Sequence, residues 1–89
     1  MINDFFTPVV NLTLETVQYG GETFEFRMID PNHYAVVSQA SGERVGAVTY
    51  RGPDHVRSVP SGGMGDAIVM AKVARAYADA LRRAGRFPL

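Results

Sequence analysis

Apolar and polar residues alternate along most of the first sixty positions, and then the period changes. In residues 22–29, Phe24, Phe26 and Met28 alternate with Thr23, Glu25 and Arg27, the two-residue repeat of a strand with one buried face. Residues 9–19 read as a strand joined to it through Gly20 and Gly21, a two-residue hairpin signal. The parity of residues 9–19 is broken, since Val10, Leu12 and Leu14 share one parity and Val17 and Tyr19 the other. Either a bulge near Glu15 and Thr16 returns all five to one face, or the break separates two segments. Residues 30–32 (DPN) form a turn, because proline presets φ while Asp and Asn bond their own backbone. Residues 33–39 and 44–50 are the next strands, around a turn at 40–43 in which Gly42 is free to take positive φ. Residues 51–54 (RGPD) turn the chain again, and 55–59 read as a short further strand ended by Pro60.

Beyond residue 60 the repeat becomes helical. Val69, Met70, Val73, Ala74, Tyr77, Ala80, Leu81 and Ala84 fall on one side at ~100° per residue. Asp66 suits the helix N-cap, Gly85 suits the C-terminal stop, and Pro88 follows it. Turns this short join antiparallel neighbours, because parallel ones need long crossovers. The expected fold is therefore α+β and two-layered: an antiparallel meander sheet of four to five strands with one C-terminal helix packed on one face, in the order β-β-β-β-(β)-α. Residues 1–89 make one domain, with 1–8 as a flexible or docking arm carrying Phe5 and Phe6. Tyr34, Val36, Val48 and Tyr50 point to one sheet face, and Ala35, Val37, Val45 and Ala47 to the other. One helix cannot cover both. The second face is expected to meet the N-terminal segment, a second copy in a homodimer, or another partner.

Composition narrows the function classes. Apolar residues make up 46% and charged residues 20%, the balance of a folded chain rather than a disordered one. The absence of cysteine removes disulfides, thiolate chemistry and the usual structural zinc sites. No apolar run is long enough to span a membrane, and the start, MINDFFTPVV, carries acid where a secretory signal carries base. A cytoplasmic protein without membrane contact is the expectation. Net charge is zero, which gives no bulk drive toward nucleic acid. The charge is nonetheless polarised. Residues 1–43 hold six acids and one base, and residues 44–89 eight bases and three acids. That split reads as two halves that pair with each other, or as a polar partner surface.

Candidate chemistry is sparse. The stretch SGGMGDA (61–67) precedes the helix but lacks the Lys-Ser or Lys-Thr of a phosphate loop, and Ile68 stands where a dinucleotide fingerprint needs a small residue. It reads as a turn and cap. Lys72, Arg75, Arg82, Arg83 and Arg86 form a basic stripe on the outward helix face with Asp79 among them. Such a stripe is either a solvated face or a contact for phosphates or an acidic protein surface. It holds no aromatic on which a base could stack. Glu15, Glu22 and Glu25 make an acidic hairpin. Asp30, His33, Asp54 and His55 fall in two similar turns at one end of a meander, in reach of the helix C-terminus, though without metal-ligand spacing. No serine sits in a nucleophile elbow, and no paired carboxylates stand out.

In size and class the chain is similar to the small α+β proteins carried by phages and mobile elements, anti-CRISPR inhibitors among them. That resemblance implies an inhibitor-type protein. The expectation is a small protein-binding module that is not an enzyme and uses no cofactor or metal. It acts through Lys72, Arg75, Arg82, Arg83 and Arg86 or through Glu15, Glu22 and Glu25. The alternative is nucleic-acid binding through the same basic helix face.

Overall fold

A computed structural model describes residues 7–52, 55–62 and 64–86. Six strands precede one helix: β1 (Val9–Asn11), β2 (Thr16–Tyr19), β3 (Glu22–Asp30), β4 (His33–Ser38), β5 (Arg44–Gly52), β6 (His55–Pro60) and α1 (Met64–Arg83). The strands pair antiparallel in sequence order, so the sheet is an uninterrupted meander that curls into a half-barrel around α1. α+β class, meander and single packed helix are as the pattern predicts. The strand number is six because residues 9–19 form two strands. Val10 pairs with Val17 across a tight turn at 12–15, where Asn11 Oδ1 accepts a bond from the Leu14 N–H and Glu15 takes φ 57°. The parity change is the signature of that turn, since Val10 and Val17 must face the same side of an antiparallel pair.

Three register shifts bend the sheet. They place one extra residue in β3 at Ile29, one in β5 at Val45 and one in β5 at Arg51. Bulges of this kind raise local twist and bend the bulged strand. The curl brings α1 against β6 and β5 on one side and β2 and β1 on the other. Gly20 and Gly21, at φ 61° and 79°, close the β2–β3 hairpin in the conformation that matches strand twist.

The core lies between the concave face and α1. Val17, Phe24, Phe26, Tyr34, Val36, Val48 and Tyr50 come from the sheet, and Met70, Val73, Ala74, Tyr77, Ala78 and Leu81 from the helix. Phe26 stacks on Tyr77 with centroids 4.3 Å apart, and Tyr34 meets Tyr77 and Tyr50 edge-on at 5.6 Å each. The Tyr50 hydroxyl donates to the Ala74 carbonyl at 3.1 Å, tying the middle of α1 to β5. Burial pushes the Tyr77 phenol up to about 12, with further rises from Tyr34 and Glu15. Desolvation likewise raises Tyr34 and Tyr50, so all three stay neutral at physiological pH.

The helix begins two residues before Asp66, which therefore sits in the first turn and is not the cap. Its carboxylate folds back over Gly62, where it still suits the positive end of the helix dipole. The cap position, 63, lies outside the described residues, as do Phe5 and Phe6. At the other end the Arg86 N–H bonds the Leu81 carbonyl and the Gly85 N–H bonds the Arg82 carbonyl, with Gly85 at φ 68°. This is the glycine stop that the sequence places there. No helix among the described residues is long and apolar enough to cross a membrane.

The convex face carries the second apolar set. Val37 is only 5% exposed although no helix covers it, and its neighbours in register are Glu25 and Arg44. Long charged side chains shield apolar surface with their stems. Val45 is a correction, because the bulge turns it toward the core side, where it packs against the main cluster.

Candidate functional site

An open groove of about 740 Å³ lies between β1 and α1. Pro8, Val10 and Leu12 form one wall, and Ala71, Ala76 and Ala80 of the helix, with Ala84 just past its end, supply small side chains. Lys72, Arg75, Asp79 and Arg83 line it as well. Helical geometry explains the arrangement. Residues 72, 75, 79 and 83 follow each other at three- and four-residue steps, so they make one row along α1. Alanines 76 and 80 lie between that row and the core face. Val10 and Leu12 share the concave side of the sheet, where both pack against the core cluster. The groove exists because β1 is a short edge strand and the helix side chains that face it are mostly alanine.

The electrostatics of the groove are uneven. Asp79 accepts a bond from Arg82 at 3.1 Å, a partly exposed pair three residues apart. No described ion pair engages Lys72, Arg75 or Arg83, all of which are exposed. The five cations expected to act together are therefore divided. Three line the groove, while Arg82 joins Asp79 from outside the lining. Arg86 lies beyond the helix end, near enough to Tyr34 and Tyr77 for its charge to offset part of the rise that burial gives their pKa values.

The acidic hairpin does not form one surface. Glu25 lies on the convex face and binds Arg27 at 3.0 Å. Glu22 accepts the Ser38 hydroxyl at 3.0 Å near the β2–β3 turn. Glu15 lies in the β1–β2 turn, where its carbonyl accepts the Phe26 N–H at 2.8 Å, and its charge reaches Tyr34 and Tyr77. Strand alternation and the rise of ~3.4 Å per residue separate Glu22 from Glu25 by face and by ~10 Å. The ion pairs seen among the described residues, Arg27–Glu25 and Arg82–Asp79, and the His33–Asp30 contact each join residues of the same half of the chain. The expected pairing of an acidic half with a basic half is absent from them. In a meander each strand lies beside its neighbour in sequence, so charges find local partners.

The two histidine turns come out only in part. His33 Nδ1 stands 4.0 Å from Asp30, while Asp54 lies outside the described residues. Among the described residues no three metal-ligating side chains come together. In the same turn Asn32 Oδ1 is buried without a partner among the described residues. Sequence reasoning found the cations of the groove but missed its walls. Ala80 and Ala84 were assigned to the core face, yet Ala84 is exposed and both line the groove. The pairing of β1 with β2, which places Val10 and Leu12 opposite the helix, depended on the parity break.

No protein-family model, curated protein or solved structure matches this chain.

Proposed function

We propose that this chain is a non-enzymatic protein-binding module whose docking surface is the groove between β1 and α1. The observation that carries the reading is a concavity with an apolar wall and floor and three cations outside the described ion pairs on its rim. Apolar area supplies affinity, and rim charge supplies orientation and association rate. An inhibitor-type role, the one implied by size and class, is a form of the same activity: the groove would hold a partner surface that another molecule needs. The reading includes a cytoplasmic setting, supported by the absence of cysteine. Nucleic acid is the less favoured ligand, because an anion, Asp79, sits within the row of cations and no aromatic lines the groove.

The test is affinity capture from nuclease-treated lysate with three baits: the parent, the groove double variant Arg75→Glu/Arg83→Glu, and Arg57→Glu on β6. A partner held by the parent and by Arg57→Glu but lost from the double variant is the expected result. Equal capture by all three baits, or recovery of nucleic acid in place of protein when nuclease is omitted, removes the reading.

A further inference from the structure

β1 and β6 are the two end strands of the sheet, and among the described residues nothing pairs with the outer edge of β1, the end strand that borders the groove. Unpaired edge N–H and C=O groups are a ready template for another strand. This edge borders the groove, so a strand added to it would lie within the groove. Its inward side chains would continue the row of Val10 and Leu12 and come over Ala76 and Ala80. Resting on the reading of this groove as a protein-docking surface, we infer that its occupant is an extended polypeptide segment of a partner whose groove-facing side chains are acidic and apolar in turn. The segment adds as a further strand along β1.

Charge and spacing define the segment more closely. Lys72 and Arg83 are eleven positions apart on α1, ~16 Å along the axis at ~1.5 Å per residue. Five extended residues cover the same length at ~3.4 Å each. Arg75 and Arg83 are ~12 Å apart, close to the span of four strand residues, which returns to the same strand face. The matching segment carries two carboxylates four residues apart. Between them, on the same face, stands an apolar side chain small enough to enter beside Ala80. A helical occupant would leave the β1 edge unpaired. A polynucleotide would leave the apolar wall uncovered and bring phosphate against Asp79.

The experiment selects displayed random peptides on the immobilised full chain and measures binding of a selected peptide by fluorescence polarisation. The expected sequences carry two acids four apart around an apolar residue. Affinity should fall at least about tenfold when Arg75 and Arg83 become Glu, and return when the peptide's acids become Lys. N-methylation of alternate peptide amides should abolish binding on one alternation and spare it on the other, because only one set of amides faces β1. Selected peptides without acids, or indifference to N-methylation on both alternations, overturn the inference. If a lysate partner is still lost from the groove double variant in that case, the docking reading stands and only the strand is wrong. Sedimentation showing a dimer that the same double variant dissolves would make a second copy the occupant, and would also overturn the inference.

Discussion

Gly46 tests how closely the curl of the sheet is fitted to the helix. It lies on the concave face beside the β5 bulge and opposite Pro60 of β6. A Cβ placed there would stand 2.8 Å from the Val59 carbonyl oxygen and 2.9 Å from both Sδ and Cε of Met70. Carbon contacts are comfortable near ~3.5–4.0 Å, so Gly46→Ala forces a shift of roughly half an ångström or more. The thioether end of Met70, which is 1% exposed, must swing aside, and the Val59 oxygen belongs to the sheet backbone and can yield only if the strands shift. Overpacking a core in this way costs about 1–3 kcal/mol. The reduced freedom of the unfolded chain returns about 0.4–1 kcal/mol. The net loss is about 1–2 kcal/mol, a fall in Tm of roughly 4–16 °C for a domain of this size. Urea unfolding followed by circular dichroism measures it through the midpoint at constant slope. Met70→Ala alone should cost about 2–5 kcal/mol, and the double variant should cost less than the sum of the singles by at least ~1 kcal/mol, because removing the thioether makes room for the new methyl. A Gly46→Ala protein as stable as the parent, or strictly additive singles, would refute this picture of the packing.

Three further outcomes follow from the same interactions. Tyr50→Phe, which deletes the buried bond to Ala74, should lower stability by about 0.5–1.5 kcal/mol in the same unfolding assay without changing the slope. Alkaline pH should unfold the protein in a defined window. Tyr77 ionises at 10.0 when unexceptional but near 12 when folded, so the native state keeps a proton that the unfolded chain releases. Stability is unaffected below pH ~10, falls from there to pH ~12, and loses about 2–3 kcal/mol to Tyr77 alone, with tyrosinate absorbance appearing together with the loss of ellipticity. Asp79→Asn removes the anion from the cation row. It should change stability by no more than about 0.5 kcal/mol, since its pair with Arg82 is partly exposed, while strengthening binding of an acidic peptide and steepening its salt dependence.

The elements legible in the sequence are those whose signal is local. Alternation in β3 as far as Phe26, the glycine pair before it and Gly85 after the helix each determine structure within a few residues and are found where expected, whereas Met28, expected on the same buried face, is 57% exposed because the strand runs past the core beyond Phe26. The strand count depended on choosing between a bulge and a turn at 12–15, and parity alone is the same for both. The turn is settled by an asparagine side chain and by a glutamate in the left-handed region, which few sequence signals announce. The bulge at Val45 was equally hidden, because a single extra residue changes a side chain's face without changing its character. The candidate site was half visible. Charged side chains on the outward helix face can be read from periodicity. Their separation into a groove set and Arg82 cannot, because it depends on which flank of α1 meets β1.

The alanines of α1 connect the fold to the proposed site. A helix packed into a curled sheet must approach both flanks, and large side chains on those flanks would hold the sheet open. Ala74 and Ala78 are buried against the core, while Ala76 and Ala80 are half-buried on the flank that faces β1. On a flank sealed by strands, small residues permit close packing. On the β1 flank the sheet ends after a three-residue strand, so the same small residues leave a hollow with an apolar wall. A module that needed only stability would gain by filling that hollow. Replacing Ala80 with Leu would bury about three more carbons at ~0.8 kcal/mol per fully buried CH₂, less in a partly open site. Alanine at 80 therefore leaves the hollow open beside a row of cations outside the described ion pairs, and Ala80→Leu, which fills it, should keep or raise stability while weakening any ligand that the proposed groove holds.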